Sequence, residues 1–273
     1  MAEEVRKPYV LGHGSDEHRR LMLQSRVIGD LTESVFARAG LAQGMNVLDV
    51  GCGAGDVSIL AAAFVGPGGS VLGVDQSPDS VALARERAKG AGLDNVRFEV
   101  GLLENLQLTG PFDALVGRLV LLYLQEPAVV LQKLAQLVRP GGLVIFQEME
   151  METARSVPEV PLFARCGVWI VEAFKRAGVE TSMGSRLYPI YKQAGLAEPQ
   201  MISGGRVGGG SQSEIYEWLA QTIRSLLPMI EKTGVATKDE VDIDTLADRL
   251  RAEVTDNGGV VHSPILVGAW ARK

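Results

Sequence analysis

Two carboxylates and three glycines crowd one short segment of this chain. Residues 47–56 read Val47, Leu48, Asp49, Val50, Gly51, Cys52, Gly53, Ala54, Gly55, Asp56. The apolar residues before Gly51 suit a buried strand, and the apolar run 57–63 that follows suits a helix. Glycines let the backbone turn sharply and let a ligand press against it. A second apolar run, 71–75, ends in Asp75. An acid at that point is the usual partner of ribose hydroxyls. The arrangement is that of a seat for a nucleoside-containing cofactor.

The positions of the acids narrow the choice. A dinucleotide site asks for G-x-G-x-x-G with a pyrophosphate at the helix N-terminus. Here Gly55 comes one position early, Asp56 stands where the third glycine belongs, and Asp49 precedes the first. Two carboxylates repel a pyrophosphate and suit a cation. S-adenosylmethionine (SAM) has a nucleoside, a sulfonium and an ammonium, and no phosphate, so it meets both conditions. A dinucleotide and a plain strand-to-helix turn with incidental glycines are the competing readings.

The rest of the chain must position these residues. Its 273 residues allow one large domain or a domain with a sizeable insertion. The composition is 46% hydrophobic and 22% charged, ordinary for a globular protein. A formal net charge of -6 argues against nucleic acid as a main partner. Cys52 and Cys166 are far apart and lack metal-ligand spacing, which fits reduced thiols in a cytosolic protein. No apolar run reaches the ~20 residues of a membrane span, and the N-terminus has no signal-peptide core, so a soluble, cytoplasmic protein is expected.

Strands are expected at 46–50, 71–75, 96–100, 112–116 and 143–147, with helices between them. Ser77 and Pro78 read as a cap and first-turn proline. Helix 127–138 carries Val130, Leu131, Leu134, Leu137 and Val138 on one face, and 139–142 end it. Such alternation predicts a parallel sheet covered on both faces. Before it, 15–40 reads as helical, in two pieces broken near Gly29 and Asp30. Two segments interrupt the rhythm, at about 150–184 and 211–260, each with amphipathic helices; Pro228 reads as a kink or stop in the second. The glycines of 204–210 read as flexible. A helix 185–194, a sixth strand near 200–202 and a last strand 265–270 complete the pattern.

Four segments, in this order, resemble the motifs of class I SAM-dependent methyltransferases: 47–56, 74–78, 112–121 and 137–143. Residues 9–13 and 268–272 resemble a subgroup of that family acting on small metabolites. The resemblance implies a Rossmann-like, doubly wound α/β fold with a seven-stranded sheet. Its last strand is antiparallel and lies between the fifth and sixth. The whole chain is then one methyltransferase domain with an N-terminal lid, 15–40, and substrate-cap insertions. The resemblance also implies roles: Gly51, Cys52 and Gly53 at the methionine part of SAM, Asp49 near its ammonium, Asp75 on the ribose and Gln76 beside the adenine. Gly117 and Arg118 border the methionyl end, with Arg118 on the carboxylate or simply exposed. Leu102 stands where the family often has an acid. The adenine contact then falls to Leu102, Leu103 and backbone, or to Glu104.

The expected reaction is methyl transfer to a small organic molecule, with oxygen favoured and S-adenosylhomocysteine (SAH) as product, in a role suited to secondary metabolism. An oxygen nucleophile needs a base. His262, His13 and Glu148 are the candidates, and topology is expected to set His262 beside Gln147 and Glu148. His18 reads as solvated. Glu148, Glu150 and Glu152 alternate and an extended chain would align them, but no metal-ligand pattern accompanies them and no metal is expected. Phe163, Trp169, Phe174, Trp218 and Met229 are expected mostly in the core, any remainder favouring an apolar or aromatic substrate. Nucleic acid and membrane are not expected as partners; a homodimer is compatible with the sequence, though no feature marks it. The alternatives are a SAM-binding relative that catalyses a different reaction, such as an elimination or pericyclic step, and a non-catalytic SAM-binding protein.

Overall fold

The computed structural model describes residues 11–12, 15–106, 108 and 110–273, without the side chains of Ser15, Asp16 and His18. In chain order the helices are α1 (Ser15–Ala39), α2 (Asp56–Val65), α3 (Pro78–Gly90), α4 (Pro127–Ala135), α5 (Pro161–Arg176), α6 (Met183–Gln193), α7 (Ile215–Lys232), α8 (Lys238–Val241) and α9 (Leu246–Asp256). The strands are β1 (Asn46–Val50), β2 (Ser70–Asp75), β3 (Val96–Val100), β4 (Phe112–Arg118), β5 (Val138–Glu150), β6 (Arg155–Val157), β7 (Gln200–Gly204), β8 (Val207–Gly209), β9 (Val260–His262) and β10 (Ile265–Arg272). They fall into two compact units.

The first unit holds Gly29–Glu148, Met183–Ser203 and Val267–Lys273 and is built on a seven-stranded sheet in the order β3-β2-β1-β4-β5-β10-β7. β1, β2, β3, β4 and β5 run parallel. β10 runs against β5, because the Gly141 N–H donates to the Lys273 carbonyl and the Lys273 N–H to the Gly142 carbonyl, each at 2.9 Å. The expected Rossmann-like α/β fold, with the last strand antiparallel, is therefore present.

The central strands are buried on both faces, as continuous apolar runs in covered parallel sheets must be. Val47, Val71, Ala114, Leu143 and Ile145 meet Val35 and Phe36 of α1, Ala61 and Val65 of α2, and Trp270 of β10 in one cluster. On α6 the fully buried Tyr191 hydroxyl lies 2.9 Å from the Ala269 carbonyl oxygen and 3.2 Å from that of Val144, tying β10 to β5. α3 starts as its sequence dictates: the Ser77 hydroxyl accepts from the Ser80 N–H at 3.2 Å and Pro78 opens the helix.

The second unit comprises the described residues up to Ile28, Met149–Ser182 and Gly204–Leu266. It packs α7 against α5 and α9 and adds an antiparallel sheet, β6-β9-β8. Among the described residues no helix is long and apolar enough to cross a membrane.

Several local expectations are corrected. α1 is one helix, not two, and Asp30 sits inside it. A glycine such as Gly29 costs about 1 kcal/mol in a helix, and burial of Val27, Ile28 and Thr32 around it outweighs that. Residues 139–142 do not end a helix but belong to β5, where Arg139 bonds Asp113 at 2.6 Å. The glycine stretch near 208 is a strand paired with β9, and a Cβ on Gly208 would lie 2.1 Å from the Ser213 hydroxyl. Pro228 lies within α7. Helix α9 starts at Leu246, after the short α8.

Replacing the α3 cap, Ser77→Ala, is expected to lower stability by about 1 kcal/mol in urea unfolding. A change within a few tenths would show that the cap is redundant.

Candidate functional site

The carboxyl ends of β1, β2, β4 and β5 carry most of the singled-out residues, as ligand sites in open parallel sheets do. The turn after β1 is drawn tight by Asp75. One Asp75 oxygen accepts from the Gly53 N–H at 2.9 Å and the other from the Ser77 N–H at 2.8 Å. Gly51 has φ +66 and its α-carbon is closed on by Val120, whose Cγ2 would lie 2.5 Å from an added Cβ. No other residue fits there. Cys52 turns inward: its side chain is buried with Val81, Ala84, Ala88 and Phe98, and burial pushes the thiol pKa well up. Only the backbone of Cys52 is left to face a ligand.

Asp49 is 1% exposed. Its Oδ2 accepts from the Ser58 hydroxyl at 2.5 Å, and its Oδ1 has no partner among the described residues. Burial raises its pKa to about 7, against the lowering effects of the Ser58 bond and of Arg118. Gly73, its neighbour on β2, makes room: a Cβ there would lie 2.8 Å from the Ser58 hydroxyl. Asp56 behaves differently. Its carboxylate pairs with Arg87 at 2.6 Å, so its charge is already met by a cation within the fold.

Arg118 ends β4 beside Gln147 of β5. Its Nη1 donates to the Thr32 hydroxyl at 3.1 Å, and that hydroxyl donates to Gln147 Oε1 at 2.7 Å. Thr32, on α1, is the member of this relay that its sequence position did not reveal. Gly117 pairs with Val50 and Phe146, and a Cβ there would lie 2.5 Å from the Phe146 ring. Gln76 is exposed just past β2. Leu102, 42% exposed, and Leu103 follow β3, where the Gly101 N–H donates to the Asp75 carbonyl at 2.9 Å.

Glu148 is fully buried. Its Oε1 accepts from the Val120 N–H at 3.0 Å and the Leu121 N–H at 2.8 Å, and its Oε2 is without a partner among the described residues. It thus holds the loop after β4, which Leu119 enters with φ +57, a conformation rare for such a side chain. Burial raises the Glu148 pKa to about 8, the amides of Leu121, Val120 and Leu122 pulling the other way. Its alternation with Glu150 and Glu152 fails, because a single helical turn, Met151–Thr153, follows β5 and sends Glu152 to Lys175 at 2.6 Å. Among the described residues no group of His, Cys, Asp and Glu could hold a metal. His262 does not belong to the last strand, β10, but to β9, paired with Arg155 and Val207 in the three-stranded sheet. His13 lies outside the described residues.

A doubly wound sheet with this turn and these acids defines a class of SAM-binding α/β proteins. The methyltransferase domain family matches residues 41–195, more than half of the chain. The chain belongs to the class I SAM-dependent methyltransferases, and SAM is their cofactor. Over 111 residues it is 40% identical to a ubiquinone biosynthesis O-methyltransferase of Paracidovorax citrulli, covering 39% of this chain and 45% of that protein. Over 114 residues it is 34% identical to the arsenite methyltransferase of Halobacterium salinarum, covering 41% of this chain and 29% of that one. The chain therefore spans less than half the length of these two relatives. Among solved structures, the YcgJ protein of Bacillus subtilis matches with a TM-score of 0.58 at 18% identity, over 89% of this chain and 99% of that one. That likeness is one of fold.

The raised pKa of Glu148 has a sign that can be measured. Raised in the fold, it favours the protonated folded state, so its stabilising effect is complete below about pH 4.5 and is lost as pH rises through about 8. Glu148→Gln keeps an oxygen for the loop amides and cannot ionise. Thermal unfolding from pH 6 to 9 is expected to fall more steeply in wild type than in Glu148→Gln, by about 3 °C or more at pH 9. Parallel curves would contradict this.

Proposed function

We propose that the protein transfers the methyl group of SAM to a small, largely apolar or aromatic organic molecule, with oxygen as the favoured accepting atom. The carrying observation is the buried Asp49 Oδ1, unpartnered among the described residues, beside a turn drawn tight by Asp75. A buried carboxylate oxygen in that state suits an ammonium group. In this reading Asp49 takes the SAM ammonium, Arg118 its carboxylate, and Asp75 the ribose hydroxyls. Gln76, Leu102 and Leu103 border the adenine, and the backbone at Gly51, Cys52, Gly53 and Gly117 approaches the methionyl chain. The likeness to an O-methyltransferase supports oxygen as acceptor.

SAM, when bound, supplies an activated methyl group. The chain's own work is to hold the acceptor in line and to take up its proton. His262 and His13 are the proposed proton acceptors. Glu148 acts through the loop it holds: Val120, closed on Gly51, is fixed by the same carboxylate that bonds its N–H. The segments 150–184 and 211–260 are proposed to supply acceptor specificity.

Calorimetric titration with SAM and SAH is expected to give micromolar binding to wild type, weakened roughly 10- to 100-fold in Asp49→Asn. Because Asn cannot carry the uncompensated charge, the ligand-free variant is expected to be more stable than wild type at pH 8. In wild type, affinity is expected to fall by up to about tenfold per pH unit below about pH 7, where Asp49 must shed a proton to bind. Equal affinity in the two proteins, or no binding to wild type, would overturn the assignment.

A further inference from the structure

A second set of buried polar atoms lies on α7. This helix packs against α5 and α9, and Ile215, Ile223, Leu226 and Ile230 form an apolar face. Trp218, Gln221 and Ser225 recur at i, i+3 and i+7. At 3.6 residues per turn they share about 60° of arc, beside that apolar face. Trp218 is 6% exposed and Gln221 7%. The Trp218 indole Nε1, the Gln221 Oε1 and the Ser225 hydroxyl have no hydrogen-bond partner among the described residues. Tyr216, whose hydroxyl is in the same condition, falls on another side of the helix and is not part of the stripe.

Buried polar groups are ordinarily bonded, and one exception can be a packing defect. Three on one stripe are a pattern. The stripe is also held in place. Glu214, one turn before Trp218 on the same side, pairs with Arg26 of α1 at 2.7 Å. Gln221 donates its Nε2 to Glu217 at 2.7 Å, which fixes the amide and leaves Oε1 with both lone pairs unused. The stripe is neutral in its unused atoms: one N–H donor, one carbonyl acceptor, and a hydroxyl able to be either.

We infer that Trp218, Gln221 and Ser225 recognise a hydroxyl group on a neutral small molecule. A hydroxyl is the smallest group that answers both ends of the stripe. Its oxygen accepts from the indole N–H and its hydrogen goes to the Gln221 carbonyl. Side chains three apart on a helix stand about 5–6 Å apart at Cβ, a span one hydroxyl bridges.

The probe is phenol, with anisole as the analogue that lacks the donor. Each is titrated into the full chain with and without SAH while the indole ¹H–¹⁵N peaks are followed. Three tryptophans give three peaks, and Trp218→Phe identifies the one that matters. Phenol is expected to shift the Trp218 peak saturably, with anisole at least about fivefold weaker. Gln221→Leu is expected to reduce phenol to the level of anisole, while SAH binding and melting temperature are kept or raised. Three results each overturn the inference: a Trp218 peak unmoved by phenol, equal binding of phenol and anisole, or Gln221→Leu more stable than wild type with phenol binding unchanged, the mark of a buried defect. SAH binding is read separately, so failure of the cofactor site and failure of this stripe are distinguishable.

Discussion

The burial of one carboxylate, Asp49, at the end of the first strand sets the terms for the rest of the sheet unit. A carboxylate taken from water without full compensation is costly and answers by holding its proton or by finding a cation. Here a single hydroxyl, from Ser58, meets one oxygen. The neighbouring strand has a glycine opposite so that this hydroxyl fits. The turn beyond has glycines so that the chain folds back, and Asp75 binds that turn by its Gly53 amide. These features are explained together if the carboxylate is kept ready for a positive ligand.

A second buried acid supports the first through the backbone. Glu148 bonds the amides of Val120 and Leu121, and the Val120 side chain closes on Gly51. The wall of the turn is therefore set by a residue outside the turn itself. The left-handed Leu119 at the start of that loop is the kind of strained residue that surrounding bonds must over-determine. Two buried acids, each with one oxygen unpartnered among the described residues, trade stability for a pre-set site, a common compromise where function needs uncompensated charge.

Features written in adjacent residues were legible in the sequence. The strand, glycine turn and following acid at 47–56 and Asp75 are local, as is the Ser77 and Pro78 helix start. Strand order followed from the motifs resembling a known family. What depends on distant chain was not legible. Ser58 is an ordinary helix residue until Gly73 is set beside it. Thr32 joins Arg118 and Gln147 only because α1 runs unbroken past Gly29. Glu148 read as a candidate base, since nothing local says that a loop before α4 will fold onto it. The stripe on α7 was hidden because Trp218 also fits an apolar pattern.

The most direct test of the account is the ionisation of Asp49 itself, followed by carboxyl ¹³C NMR with Asp49→Asn to identify the signal. The account predicts a midpoint near pH 7 in the ligand-free protein, moving below about pH 5 with SAM bound as its ammonium takes the place of the proton. An ordinary midpoint near 4 without ligand, or a midpoint that SAM leaves unmoved, would contradict it.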